Sequence, residues 1–518
     1  MSKSLLKRLI VPLLVLMVVI IFAGTASAQA NGPTNEELAT AINIMWMLLC
    51  GFLIFFMQAG FALVETGFTR AKNVAHTMMM NMMVFCIGAI GYWLVGFGLQ
   101  FGGVNATFPA IGNAGAWAFS PTTLGAWGDQ LNHWLISFGQ FGIVGGKGFA
   151  LAGVGGISGI LAFFLFQMVF MDTAATIPTG SMAERLKFVG FCLMALWVSM
   201  FIYPVVGNWV WGGGWLANLG RIAGLGNGAV DFAGSGVVHM IGGSVALAGV
   251  IVIGPRIGRF NKNGSANAMP GHNIPMGILG TIILFFGWFG FNPGSSMSFI
   301  GGGRDLAVLA AVNTLLAGAA GGVAAMLTMW LFGPSKKPDP GLSVNGLLTG
   351  LVAITAPCAF VGTGTAVFIG LIAGVLVCLV TFALERWHVD DPVGAVPVHF
   401  ANGIWGLLAV GIFANGNPAT AGWNGVAGPV TGLLYGGGTQ ILAQMAEIAA
   451  IVVVAGGLSF VFFKVLSALK LLRPAPGDEL AGLDMPEMGM PGYTTVDVRM
   501  PGGRLTQQTP AVRPTPGR

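Results

Sequence analysis

Long apolar runs broken by short polar stretches repeat along the chain from residue 41 to residue 470. Eleven are long enough to cross a hydrocarbon core ~30 Å thick. They lie roughly at 41–66, 76–101, 154–180, 187–207, 229–255, 275–295, 305–333, 342–360, 362–386, 391–415 and 440–470. With no water inside a bilayer to satisfy backbone groups, such runs must be helical. The pattern therefore predicts an all-α polytopic membrane protein with eleven transmembrane helices.

The first thirty residues read differently. Lys3, Lys7 and Arg8 precede an apolar run that ends at Ala-Ser-Ala, with a candidate cut after Ala28. That is the pattern of a cleaved signal peptide. Three segments follow: a signal peptide at 1–28, a membrane domain at 29–473 and a tail at 474–518. Cleavage would leave the mature N-terminus outside, so odd-numbered spans run inward. The loops give an independent test. The expected inside loops and the start of the tail carry Arg70, Lys72, Arg185, Lys187, Arg256, Arg259, Lys262, Lys336, Lys337, Arg386, Lys470 and Arg473. The outside loops carry Lys147, Arg221 and Arg304. Such a bias toward one side is what the positive-inside rule expects, so the topology reads N-out, C-in.

Two of the spans share a motif. Span five begins DFAGSGVVH (231–239) and span ten begins DPVGAVPVH (391–399), each with an Asp eight residues before a His. Five spans apart, the two segments cross in opposite directions. This suggests two five-helix halves related by an inverted repeat, plus a final helix, with a site at the midplane between them. Eight helical residues rise ~12 Å, which brings His239 from the outer face and His399 from the inner face to the middle of the membrane. The other histidines, His76, His133, His272 and His388, fall in or beside expected loops.

Composition agrees with burial in lipid. Of the 518 residues, 8% are charged and 55% hydrophobic, with a mean hydropathy of +0.81; a soluble domain carries about 25% charge. The isoelectric point near 9.0 follows from the basic inside loops and gives no reason to invoke nucleic acid. All five cysteines sit in apolar spans without metal-ligand spacing and read as small core residues. No Ser/His/Asp set, metal cluster or phosphate loop stands out, so the chain does not read as an enzyme and no cofactor is implied.

Ionisable groups at membrane depth are costly and mark pathways or relays. A neutral imidazole donates from one nitrogen and accepts at the other. A facing pair can share a proton and contact a small molecule without a fixed charge, while hindering a bare cation. Asp231 and Asp391 read as N-terminal acids of their helices, Asp231 as structural support rather than as a ligand. Two aromatic stretches complete the candidate chemistry. FFLFQMVF (163–170) puts Phe163, Phe166 and Phe170 on one helical face, and GWFGFNPGSS (287–296) sets Phe291 four residues before Ser295. Trp211 opens the loop into span five. A Trp face and a Ser hydroxyl at the outer mouth could hold a small monovalent cation.

Taken together, AGFALVETGFTRAKN (59–73), ATIPTGSMAER (175–185), WGGG (211–214), DFAGSGVVH, GWFGFNPGS and DDPVGAVPVHFANGIWG (390–406) resemble the ammonium transporter family, more its Amt branch and bacterial type. The likeness runs in order from about residue 41 to 490. The resemblance implies a homotrimer in the cytoplasmic (inner) membrane, with a separate pore in each eleven-helix subunit. It implies an external ammonium site at Trp211, Ser295 and Phe170, and a phenyl gate of Phe170 and Phe291. Pore histidines would be His239 and His399, supported by Asp231. Ammonium would be recruited at the mouth, deprotonated, and passed along the histidine-lined pore. Family tails dock PII-type regulators; here ELAGLDMPEMG (479–489) resembles those tails, but Met488 stands where a His is common. Asp172 also departs from the pattern, in a place where related transporters carry a small or apolar residue. The outer segment 102–153 is longer than in compact members, and the sequence beyond Tyr493 reads as disordered.

Two other classes stay open at this level. One is an ammonium sensor of the same fold, signalling through its tail. The other is a bis-histidine haem protein, against which the crowded Gly and Phe surroundings argue.

Overall fold

The computed structural model describes residues 32–104, 107–108, 112–113, 128–138, 141–423, 426 and 428–493. The expected signal peptide at 1–28 and the sequence beyond Tyr493 lie outside the described residues.

Among the described residues, ten helices are long and apolar enough to span a bilayer. They are α1 (Asn35–Phe68), α2 (Ala71–Phe101), α3 (Ser158–Ser181), α4 (Phe188–Val210), α5 (Ser235–Ile253), α6 (Ile274–Gly294), α7 (Gly302–Phe332), α9 (Thr363–Arg386), α10 (Val396–Phe413) and α11 (Gln440–Ala468). The eighth expected span is a shorter apolar helix, α8 (Pro340–Thr355). Thr34 opens α1 with a capping box: its hydroxyl accepts from the Glu37 N–H while the Glu37 carboxylate accepts from the Thr34 N–H, which satisfies two otherwise orphaned donors.

Small residues set how close these helices come. A methyl group on Gly280 of α6 would lie 2.6 Å from the Gly60 carbonyl oxygen of α1, and one on Gly67 would lie 2.6 Å from the Gly277 nitrogen. Without an aqueous driving force between helices in lipid, such close backbone approach supplies the packing attraction.

The repeat runs deeper than its Asp–His spacing. In both halves the third residue after the Asp is a glycine in the left-handed region, Gly234 (φ 107°) and Gly394 (φ 78°). Each helix then enters through a π-helical turn, Ser235–Met240 in α5 and Val396–Ala401 in α10. Twelve residues after each Asp stands another glycine at the crossing of the two segments: a Cβ on Gly403 would meet the Ser235 carbonyl oxygen at 2.6 Å, and one on Gly243 would strike the backbone of Phe400. The continuous eight-residue helical rise expected between Asp and His is corrected here. Residues 231–234 form a turn, and π-helix replaces α-helix at both histidines. Only a glycine tolerates the left-handed turn without strain, and π-turns recur at functional sites.

Two further observations concern the segments between the spans. His76 lies within α2, fully buried against the Phe188 ring. The outer segment holds two short antiparallel ribbons, β1 (Thr107–Phe108) with β2 (Gly112–Asn113) and β3 (Trp134–Phe138) with β4 (Phe141–Gly145). The second packs on the end of α4, where the Trp209 indole donates to the Ile143 carbonyl at 2.9 Å.

Residues from the expected inside loops converge at one end. Arg256 grips Asp390 through two nitrogens, at 2.8 and 2.9 Å, and reaches Glu184 at 2.8 Å; Arg70 also pairs with Glu184. The fully buried Arg185 donates to the Asp390 carbonyl at 2.6 Å. The tail, with its short helix α12 (Pro476–Ala481), closes over this network. Glu479 accepts from Arg473 and from the Ile257 N–H, Lys72 donates to the Glu479 and Leu480 carbonyls, and Asp484 accepts from the His76 N–H.

Burial would raise the Asp390 carboxyl, but the Arg256 and Arg185 guanidiniums override it and hold it below the usual carboxylate range. A depressed native value means stability present in full above about pH 4 and lost as acid is added through the lower folded value. Removing one partner strands the other charge. Asp390→Asn is therefore expected to destabilise by about 3–5 kcal/mol, with a smaller loss on acidification than wild type. Thermal melting of detergent-purified protein across pH checks both, and an unchanged melting temperature at neutral pH would contradict it.

Candidate functional site

Of the residues singled out in the sequence, Trp211, Phe170, Phe291, His239 and His399 form one chain of ring contacts, whereas Phe163 packs away from it on Phe97 and Phe101. On the outer side, Phe170, Trp211 and Ser295 share a small pocket with Phe166, Gln167, Phe232, Met297 and Trp423. The Trp211 indole N–H is committed to the Asp231 carbonyl at 2.8 Å, so its contribution to the pocket is the ring face. The Ser295 hydroxyl donates to the Phe291 carbonyl at 2.9 Å, which leaves its lone pairs free to accept. Gln167 was not singled out from the sequence, although it is the polar residue within FFLFQMVF. Its side-chain oxygen is buried and without a hydrogen-bond partner. The pocket thus offers aromatic faces and acceptor oxygens, the chemistry that suits a small cation carrying N–H donors.

Below it the path is shut by rings. Phe170 and Phe291 stack with centroids 4.0 Å apart at 27°, and Phe170 meets Trp211 edge-on at 5.8 Å. Phe291 in turn lies over His239 at 5.6 Å. His239 is sandwiched further by Trp288 at 5.2 Å, whose indole N–H donates to Thr355 at 3.0 Å. Trp288 is a second residue that sequence reasoning passed over, because an aromatic in an apolar helix carries no distinguishing signal.

His239 and His399 meet at the centre, with Nδ1 to Nδ1 at 3.2 Å. At that separation one Nδ1 carries the hydrogen and the other accepts it. Nε2 of His239 is buried without a partner. It is the atom left available to whatever occupies the path. Below the pair, His399 opens into an inner cavity that Phe61, Glu65, Asn345 and Gly394 also line.

The two aspartates hold the entries. The Asp231 carboxylate accepts from the N–H groups of Gly234, Ser235, Gly236 and Val237 at 2.8–2.9 Å. Asp391 accepts from Gly394 at 3.0 Å and Val396 at 2.7 Å. Each carboxylate satisfies donors that a buried helix start would otherwise leave orphaned. Asp172 is buried on α3 with Oδ1 unpartnered, two residues past Phe170 and therefore turned away from the stacked rings. Glu447 of α11 approaches the Asp231 turn: a Cβ on Gly236 would meet the Glu447 Oε1 at 2.5 Å and the Asp231 Oδ2 at 3.1 Å.

Comparison with known proteins agrees with this arrangement. The profile of the Ammonium Transporter Family matches residues 45–493. The chain is 41% identical over 494 residues to the ammonium transporter Amt2 of Archaeoglobus fulgidus, covering 94% of this chain and 96% of that one. It is 34% identical over 474 residues to the ammonium transporter 1 member 3 of Solanum lycopersicum, with 89% and 94% covered. A solved structure described as a Sensor Amt Protein superposes with a TM-score of 0.73 at 33% identity, covering 87% of this chain and 99% of that one. The chain is a multi-pass membrane protein belonging to the ammonium transporter family.

Proposed function

We propose that the protein transports ammonium across the cytoplasmic membrane by splitting it into ammonia and a proton. The observation that carries this reading is the unbroken column from the outer pocket, through the stacked phenyl rings, to the histidine pair and inner cavity. Ammonium rests on the Trp211 and Phe170 faces and donates to Ser295. The stacked rings of Phe170 and Phe291 have no room for its hydration shell, and shedding water favours the uncharged form. Ammonia then passes His239 and His399, which offer donor and acceptor without a fixed charge. Asp231 acts through structure, holding the turn that fixes Trp211 and the entry of α5. A homotrimer with one such pore per subunit belongs to the proposal, as does a PII-type regulator at the tail.

A second reading is a sensor of the same fold, favoured by the likeness to the Sensor Amt Protein and by a tail docked on the starts of α2 and α4 and on the loop after α5. Tight ammonium binding without flux in liposomes would select it.

Transport in liposomes tests the first reading. Because the neutral histidine pair hinders bare cations, His239→Ala and His399→Ala are expected to raise potassium permeation relative to ammonium by about tenfold or more. Unchanged flux and discrimination in both variants would sink the pore. Phe291→Ala opens the gate beside His239, and its methylammonium uptake is expected to depart from wild type by about tenfold, a change of ~1.4 kcal/mol. Wild-type uptake would take Phe291 out of the gate.

A further inference from the structure

Glu65 occupies a place that stability alone does not recommend. It is 3% exposed and sits in the last turn of α1, where the C-terminal carbonyls already make the potential negative. Among the described residues no Lys, Arg or His forms an ion pair with it. Asp391 is near enough to add repulsion. Its compensation comes from neutral groups: Asn81 Nδ2 donates to Oε2 at 2.8 Å, the Thr179 hydroxyl lies 2.8 Å from Oε1, and the Gly180 backbone N–H also hydrogen-bonds to the carboxylate. A buried acid held this way costs stability. In a membrane span, such a residue marks a pathway.

Its position gives the pathway. Glu65 lines the inner cavity into which His399 opens, together with Phe61, Asn345 and Gly394. The Phe61 ring, one turn before Glu65, lies 6.5 Å from the His399 ring. The Asn345 amide nitrogen is committed to the Val393 carbonyl at 3.0 Å. That leaves Glu65 as the carboxylate that meets whatever leaves the histidine pair. Its surroundings serve both protonation states. The Thr179 hydroxyl can donate to the ionised carboxylate. It can also turn to the Thr176 carbonyl, which it also contacts, and accept from the neutral acid.

We propose that Glu65 is the inner cation site of this transporter, where the proton and ammonia recombine. The inference rests on the pore reading above and deepens it. A proton leaving His399 forms an O–H bond on the Glu65 carboxylate and leaves His399 neutral. Ammonia arriving through the pore then takes that proton: the O–H bond breaks, an N–H bond forms, and ammonium departs from a regenerated carboxylate. Charge and atoms balance, and each cycle moves one positive charge inward. Glu65 lies in AGFALVETGFTRAKN, a stretch whose chemistry the outer pocket, gate and histidine pair do not use.

The test uses full-length protein in liposomes with set internal pH, comparing wild type, Glu65→Gln and Thr179→Val. Current after an external ammonium pulse and its dependence on internal pH are read together. Glu65→Gln keeps the shape and the hydrogen bonds to Thr179 but cannot carry the proton. It is expected to lose about tenfold or more of the current, as removal of a proton-transfer group does, and to lose the internal-pH dependence. Its half-saturating external ammonium should stay within about twofold of wild type, because the outer pocket is untouched. Thr179→Val should keep the current with its internal-pH midpoint displaced, which a purely structural role for Glu65 would not produce. Wild-type current with wild-type pH dependence in Glu65→Gln overturns the proposal. If Glu65→Gln does not elute as wild type does, an undisplaced midpoint in Thr179→Val overturns it instead. A wild-type protein with no ammonium flux refutes the pore itself, which separates the two failures.

Discussion

Everything in this fold answers to one constraint: two imidazoles must stand 3.2 Å apart in the interior of a membrane protein. Water is the cheap partner for such groups, and at that depth the protein must replace it. Two helices therefore begin within a few residues of the pair, at Ser235 and Val396, and each exposes a first turn of unsatisfied N–H groups. Asp231 and Asp391 satisfy those donors from matched positions. A left-handed glycine follows each, and a π-turn then aims the histidine at its counterpart. The glycines at 243 and 403 allow the two segments to cross closely enough for contact.

The same economy shapes the ends of the path. Aromatic rings supply polar attraction without needing hydration, so they can bind a cation at the mouth and still exclude water one layer below. In the proposed pathway the Phe170 ring takes part in both, since it meets Trp211 edge-on and Phe291 face-to-face. At the inner end the charge balance reverses. Arg256, Arg185, Glu184 and Asp390 neutralise one another beneath the cavity and tie the loops of both halves to the tail. Glu65 is left out of that exchange. The nearest ion pairs stabilise the fold, while the unpaired acid stands at the path.

Much of this was legible in the sequence because it leaves a periodic or repeated trace. Spans read from apolar length, sidedness from Lys and Arg, and the histidine pair from an Asp eight residues before a His on two oppositely directed spans. Three things were not legible. The π-helical entries depend on backbone torsions that Gly234 and Gly394 permit but do not announce. Gln167, Trp288 and Glu65 are single residues in apolar helices, and their meaning comes from which cavity they line. The β3–β4 ribbon packs against Trp209 and Trp215 through backbone carbonyls, contacts that carry no sequence pattern.

The central claim is that a neutral pore passes ammonia while refusing bare cations of similar size. Equal pulses of ammonium and of potassium applied to the same wild-type liposomes, with current and internal pH recorded together, test it most directly. Ammonium flux with no potassium current is the result this account requires. A potassium current comparable to that of ammonium would mean an open cation channel and would contradict it.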